Sequence, residues 1–412
     1  MQLDSSDPIT LWQYAERYLG VGTRTYSPYA GDLDIDDAFH PQRGTPTFQL
    51  PTFQVPGSVH VASPVVQSPL PELYRGLLPV HPNALDAPGL VGLSSLLASP
   101  QGPTLTAVPT ANARTVFVTA IDGTPVDPHF VKLHYPRRLS RFTRRLRKPV
   151  IELQLWVSDE LVRVGAPVLP EVGGGWFDAG SSPDSGFGSG LGSGLGSGSD
   201  AWGFLLRAAR PLTPAPAWTV PLFALYGRDL HHPSDPTLLE QLVDAFDEDP
   251  TAFVASRIVV PMVQLWASVA RDTGCPLETH GQNTLFAFDA HRRETRILYR
   301  DCAIYVDAAR RAGLGLTGPL PPANVIPRDV PMAADEVFSL TYDSFMGHHA
   351  LSYVAALAED RWGVRPSSLH AAARAAFTAQ DLLPPTVFYY DNVLYDNNDW
   401  KLIDTGERPD WR

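Results

Sequence analysis

Cysteine is almost missing from this sequence: Cys275 and Cys302 are the only two in 412 residues. Two cysteines in a chain this long make no disulfide framework, which points to a reducing compartment. Nor can they build a multi-cysteine zinc or iron–sulfur site. Long apolar runs are missing too. No stretch approaches the ~18 consecutive apolar residues that span a bilayer. The opening MQLDSSDPITLWQYAERYL has neither the basic nor the apolar region of a secretory leader. A cytoplasmic protein with no membrane partner is expected. Positive charge is in deficit, with 32 Lys+Arg against 44 Asp+Glu and a formal charge of -12. That balance argues against a dedicated nucleic-acid binder. Lysine is confined to Lys132, Lys148 and Lys401, so each one stands out.

What is present fits a globular protein. The hydrophobic fraction is 44%, too high for a disordered chain. The length suggests two or three lobes and a core large enough to need no disulfide or metal staple. After an amphipathic helix at Ile9–Tyr18, with Leu11, Tyr14, Ala15 and Tyr18 on one face, frequent prolines forbid long helices and central strands up to about residue 110. An irregular N-terminal lobe is expected there. Thr115–Ala120 and His129–Tyr135 read as a hairpin about Asp122-Gly123-Thr124-Pro125. Val150–Val162 reads as a helix, and Trp202–Ala208 and Thr219–Leu225 as strands. Gly173–Asp200, ending GSGLGSGLGSGSD, reads as a disordered surface loop.

The C-terminal half predicts helices at Pro236–Asp247 and Thr251–Thr273. In the second, Val259, Val260, Val263, Trp266 and Val269 recur at helical spacing. Thr284–Ala287 and Thr295–Tyr299 form a hairpin. Further helices fall at Ala333–Gly347, Ala350–Trp362 and Ser367–Gln380, and a closing hairpin turns at Asp396-Asn397-Asn398-Asp399. The fold class is α+β, without the βαβ rhythm of a doubly wound sheet. The lobes are expected at 1–108, at 109–230 (carrying the insert 173–200) and at 231–412.

Three constellations could carry chemistry. The first is the basic segment Arg137, Arg138, Arg141, Arg144, Arg145, Arg147 and Lys148, just after Lys132. As a helix it would put Arg137, Arg141, Arg144 and Lys148 on one face. Guanidinium groups pair bidentately with phosphate oxygens, so such a face could hold a triphosphate. On charge alone it is equally a solvated basic face. The second is Glu278-Thr279-His280-Gly281-Gln282-Asn283, a turn between a helix and a strand. Its glycine lets backbone approach a ligand, and Gln282 and Asn283 offer amide donors and acceptors. A single histidine in such a turn also serves purely structural ends. Asp301, past the paired strand, could bring a carboxylate to the same place, and carboxylates near phosphates usually hold Mg²⁺. The third is Asp391-Asn392 with Asp404. It faintly resembles the metal hairpin of kinase-like phosphotransferases, but Val387 stands where their catalytic aspartate would be.

Taken together, these segments resemble the IucA/IucC family of siderophore synthetases that work independently of non-ribosomal peptide synthetases. The match lies in LETHGQNTLFAF (Leu277–Phe288) with ILYRD (Ile297–Asp301), in KLHYPRRLSRFTRRL (Lys132–Leu146), in PTANART (Pro109–Thr115) and in PVHPN (Pro79–Asn83), in family order over about residues 75–305. Weaker echoes are Phe204–Arg207 and Val220–Leu225. The resemblance implies a hand-like fold: a shortened thumb at 1–108, β-rich fingers at 109–230 and a palm of helices and antiparallel sheet at 231–412. ATP would lie between fingers and palm, with Mg²⁺. It implies adenylation of a citrate-like or other di- or tricarboxylate, then condensation with an amine or hydroxyl, by an enzyme with small-molecule substrates and a homodimer as its expected assembly.

The family's nucleotide contacts fall on Asn112, Arg114, Thr115, Lys132, Ser140, Arg144, His280, Gln282 and Asn283. Lys132, Arg144 and His280 carry the catalytic roles, and Glu278 and Asp301 stand nearest the metal. The chain departs from the pattern at Asn83, Asn112 and Ala208 and at Cys302-Ala303-Ile304, where the family has tryptophan, serine, glutamate and a glycine-rich stretch. Asn112, Ala208 and the altered Cys302 stretch motivate a second reading, a non-catalytic relative that binds a siderophore or a partner enzyme through the same groove. A kinase-like phosphotransferase resting on Asn392 and Asp404 is the third.

Overall fold

The computed structural model describes residues 7–20, 33–87, 92–139, 142–178, 201–289, 291, 293–321, 323–326, 333–390 and 402–412. Helix α1 (Pro8–Tyr18) starts where Asp7 accepts from the N–H groups of Ile9 and Thr10, with proline in the first turn. Of the face its periodicity marks, Leu11 and Ala15 are buried and Tyr14 and Tyr18 half-buried, and the helix also buries Trp12, Glu16 and Arg17.

The strands are β1 (Phe48–Leu50), β2 (Thr52–Phe53), β3 (Val59–Ala62), β4 (Leu78–Pro79), β5 (Leu105–Pro109), β6 (Thr115–Ile121), β7 (Thr124–Leu133), β8 (Tyr135–Leu139), β9 (Phe142–Arg144), β10 (Glu171–Asp178), β11 (Ala201–Ala208), β12 (Trp218–Pro221), β13 (Thr284–Phe288), β14 (Thr295–Tyr299), β15 (Phe388–Tyr390) and β16 (Leu402–Asp404). Seven of them form one sheet in the order β1-β5-β6-β7-β11-β10-β3. The β6–β7 hairpin closes over Asp122 and Gly123, at φ 45 and 75. Two consecutive left-handed residues make the turn whose twist suits a two-residue hairpin. A second sheet, β12-β13-β14, backs onto helices. The first sheet spans the boundary expected at 108/109, since β1 and β3 are its two edges. The second sheet draws β12 to the C-terminal part of the chain.

Four local expectations are corrected. The basic segment is not a helix. Residues 135–144 form the β8–β9 hairpin, with Tyr135 opposite Arg144 and Leu139 opposite Phe142, and Lys148 opens the next helix, Lys148–Arg163. Pro136 lacks the N–H that a helix interior requires. Ser140 and Arg141 lie outside the described residues.

The glycines at 173–175 are not linker but part of β10, paired on both sides with β11 and β3. They are small because the backbones are close. A Cβ on Gly174 would stand 2.5 Å from the carbonyl oxygen of Phe204, and one on Gly175 would stand 2.7 Å from that of Val59. Residues 179–200, the rest of the expected disordered insert, lie outside the described residues. The strand expected at Thr219–Leu225 stops at Pro221, and Phe223–Tyr226 is a helical turn.

The two helices expected on either side of His348-His349 are one. Ala334–Ser339 runs into a π-helical stretch, Leu340–Leu351, and then into Ser352–Trp362. A Cβ on Gly347 would meet the Trp411 ring at 2.8 Å, so the glycine marks a packing contact and not a break.

Helix Pro250–Thr273 is 24 residues long, and its most apolar 18-residue stretch has a mean hydropathy of 1.5. By length and composition it could cross a membrane. Here Ile258, Val259, Met262, Val263 and Trp266 bury it in the main core with β13, β14 and the C-terminal helices. A separate core fills the seven-stranded sheet around Leu105, Val116, Val131 and Phe204.

The close backbone approach of β10 and β11 leaves no room for a methyl group. Gly174→Ala is therefore expected to destabilise the fold by about 1–3 kcal/mol. This would be read as a lower urea midpoint at an unchanged m-value. An unchanged midpoint would contradict the packing described.

Candidate functional site

The site begins at the turn between β5 and β6. Thr110 donates its hydroxyl to the Thr115 carbonyl at 2.6 Å and accepts from Asn112 N–H. The backbone N–H of Ala113 reaches Thr110 O, and Ala113 takes a left-handed φ of 60. The turn delivers Arg114 and Thr115 beside β7, where Thr115 pairs with Lys132 and Leu133 donates to Arg114 O at 3.0 Å. Arg114 in turn donates from Nη1 to the Arg144 carbonyl at 2.9 Å, which ties the β8–β9 hairpin to the same spot. The fold thus brings Arg114, Thr115, Lys132 and Arg144 together from three separated segments. Asn112 sits half-buried in the turn itself.

A second turn faces this one. Residues 279–283 lead into β13, and the His280 carbonyl accepts from the N–H groups of Asn283 and Thr284 at 3.1 and 3.0 Å. Gln282 N–H donates to His280 Nδ1 at 3.2 Å. The neutral ring therefore carries its proton on Nε2. His280, Gln282 and Asn283 are all buried. Gly281 packs so tightly on the Tyr226 hydroxyl that no side chain fits. Arg300 holds the turn by donating from Nε to Gln282 O and from its backbone N–H to Asn283 O, both at 2.9 Å. Its Nη1 donates to Glu16 of α1. The other oxygen of Glu16 accepts from Ala111 N–H at 3.4 Å. Glu16 and Arg300 thus staple the two turns to each other through α1. The Tyr299 hydroxyl accepts from Glu278 N–H at 3.3 Å and donates to Asp301 O at 2.9 Å, so Glu278 and Asp301 bracket one phenol.

Adjoining both turns, through the Thr115–Lys132 pairing on one side and through Arg300, the residue before Asp301, on the other, is a buried charge cluster. Lys132 is 2% exposed and donates to Asp301 Oδ1 at 2.6 Å and to Gln154 Oε1 at 2.7 Å. Asp301 stands at φ 76, a left-handed conformation costly outside glycine. Arg207 donates from Nε and Nη2 to Glu171 Oε1 at 2.9 and 2.6 Å, and its Nη2 lies 3.9 Å from Asp301 Oδ1. Burial pushes the Lys132 ammonium down to about 8, with Asp301 opposing and Arg114 and Arg207 adding to the fall. Burial alone would raise the Asp301 carboxyl, but Lys132 and Arg207 hold it far below the usual carboxylate range. Such strong perturbation of grouped charges marks functional sites more often than ordinary surface pairs.

Sequence reasoning missed Glu16, Arg300, Glu171 and the role of Arg207. Arg207 and Glu171 sit directly opposite each other across β10 and β11. The signal available was a lone arginine ending the otherwise apolar run WGFLLRA. Two expected features are structural. Asn83 exchanges hydrogen bonds with Asp36, at 2.5 Å to its side chain and 3.0 Å from its backbone N–H, and so clamps a neighbouring segment. His81 beside it is buried against Phe39, Phe48 and Tyr135. Asp404 is exposed and accepts from Gly406 N–H, which is turn chemistry. Asn392 lies outside the described residues. Among the described residues no three His, Cys, Asp or Glu side chains cluster to hold a metal ion.

No family model matches the chain, and no curated protein matches it. Solved structures do. The chain aligns with ATP-bound aerobactin synthetase IucA from a hypervirulent pathotype of Klebsiella pneumoniae at a TM-score of 0.68 and 16% identity, covering 95% of this chain and 76% of that one. The petrobactin biosynthesis protein AsbB from Bacillus anthracis str. Sterne aligns at a TM-score of 0.63 and 12% identity, over 95% of this chain and 74% of that one. Aerobactin synthetase IucC from the same Klebsiella pathotype aligns at 0.53 and 16%, over 86% and 66%. The chain therefore has the mixed α+β fold of these siderophore synthetases.

The depressed Lys132 ammonium is directly measurable. With three lysines in the chain, selective ¹³Cε-lysine labelling gives a simple spectrum. The Lys132 resonance is expected to titrate near pH 8. Asp301→Asn removes the carboxylate that opposes the shift, so the midpoint should fall further. A rise would contradict the pairing.

Proposed function

We propose that the protein is an ATP-dependent ligase. It joins the carboxyl group of a citrate-like di- or tricarboxylate to AMP and then transfers the acyl group to an amine or hydroxyl. What carries the reading is the convergence of Arg114, Lys132 and Arg144 with the His280-Gly281-Gln282-Asn283 turn, from four distant segments, on a fold that also binds ATP in a solved neighbour.

The chemistry asks for this arrangement. A carboxylate oxygen attacking the α-phosphorus meets an anion, so fixed cations must screen the approach and stabilise the charge that builds in the transition state. Arg114, Lys132 and Arg144 supply that charge. The P–O bond to pyrophosphate breaks as the new bond forms. In the second step the acceptor attacks the acyl carbon, AMP departs and the acceptor loses a proton. His280, with its N–H on Nε2, can donate to a phosphoryl oxygen. Gln282, Asn283, Thr115 and Ser140 provide neutral hydrogen-bonding groups for the phosphates, and Asn112 stands where the family's serine would.

Glu278 and Asp301 are two carboxylates, fewer than a protein-only cage needs. A Mg²⁺ ion here would be shared with phosphate oxygens, as that ion commonly is. A siderophore-type product and a cytoplasmic setting follow from the same reading, and a homodimer is its expected assembly.

The test combines ATP, Mg²⁺, hydroxylamine as acceptor and a panel of di- and tricarboxylates. AMP and a hydroxamate should form, and both should fall by about 10²–10³ in His280→Ala and Arg144→Ala, the usual effect of removing one transition-state contact. ATP-induced stabilisation without AMP from any acid would favour the non-catalytic binder. ADP would favour phosphotransfer. No ATP-induced stabilisation at all would sink the proposal.

A further inference from the structure

Glu171 and Arg207 are register partners on β10 and β11, with side chains 0% and 4% exposed. Nothing about the sheet requires charge there. Their neighbours Val172, Trp202, Phe204, Leu205 and Leu206 are buried and apolar, and an apolar cross-strand pair would serve packing equally well. Both Arg207 donors go to Oε1, while Glu171 Oε2 is buried without a hydrogen-bond partner among the described residues. A pair kept only to staple two strands would gain by satisfying that oxygen. The Nη2 that donates to Glu171 also lies 3.9 Å from Asp301 Oδ1, the same oxygen that accepts from Lys132. Asp301 itself is held in a backbone conformation that residues other than glycine rarely adopt.

We infer that Arg207, gripped by Glu171, is a positioning residue of this site: it fixes the Asp301 carboxylate, which in turn aims the Lys132 ammonium. The inference rests on the ligase reading. Arg207 need not touch substrate. Its fork-shaped guanidinium spans two carboxylates, which a lysine cannot do with the same geometry.

The experiment separates this role from a merely structural one. Arg207→Met alone leaves Glu171 buried and unpaired, so it should lower the melting temperature and can fail to fold. The double variant Glu171→Met/Arg207→Met removes both charges and should regain a melting temperature close to wild type. If Arg207 positions the site, the refolded double variant still loses at least tenfold in kcat/KM for ATP in the AMP-forming assay. Arg207→Lys, which keeps the charge but not the fork, should fall between the double variant and wild type. Wild-type kinetics in a stable double variant would overturn the inference and leave the ligase reading standing. A wild-type protein that shows no ATP-induced stabilisation would overturn both.

Discussion

The organising constraint of this molecule is a lysine ammonium taken out of water. A buried charge is tolerated only when paired and hydrogen-bonded, and every element around Lys132 contributes to that condition. The helix Lys148–Arg163 supplies Gln154, the residue after β14 supplies Asp301, and the β10–β11 pair supplies Glu171 and Arg207. Arg114 arrives from the turn before β6. Three cations share this space with two carboxylates, which leaves an excess of positive charge in a low-dielectric setting. Such a place attracts an anion and repels further cations.

A cluster of this kind needs its parts held at fixed distance, and the parts come from sheets that do not share a strand. Helix α1 makes the connection. It packs on β12, and Glu16 reaches both Arg300 and the turn at Ala111. Arg300 then fixes the turn that carries His280, Gln282 and Asn283 through two backbone carbonyls. One buried ion pair thereby sets the spacing between the two turns. Breaking such a pair is far costlier than never having had it, so α1 belongs to the site's scaffold although it contributes no candidate phosphate contact.

Much of this was legible in the sequence, for reasons that can be named. The α+β class, the Asp122-Gly123 hairpin and the apolar face of Pro250–Thr273 are written in local patterns of period two and three to four. The His280 turn, Lys132 and Arg114 stood out because they form short, ordered segments whose chemistry is local. What failed was either ambiguous locally or not local at all. An arginine-rich stretch shows no apolar alternation, so local pattern does not separate the β8–β9 hairpin from a basic helix. The glycines of β10 run into a Gly/Ser-rich stretch, and composition cannot tell a glycine chosen for close packing from one chosen for freedom. Glu16 pairs with Arg300 across nearly the whole chain, and Glu171 finds Arg207 only once β10 and β11 are in register. No sequence window contains both partners.

The departures from the family pattern acquire a common logic in this light. A cation buried in a sheet must have an anion within hydrogen-bonding reach, but the physics does not care which strand provides it. Ala208 stands where the pattern has a glutamate, and the anion paired with Arg207 comes from Glu171 across the strand pair. Asn83 stands where the pattern has a tryptophan, and it holds the adjoining segment by hydrogen bonds with Asp36. In both places a buried polar group has its partner, as burial requires. A chain 12–16% identical to its structural neighbours keeps their fold, while in this chain the buried charges around Lys132 find their partners on elements that no short stretch of sequence connects.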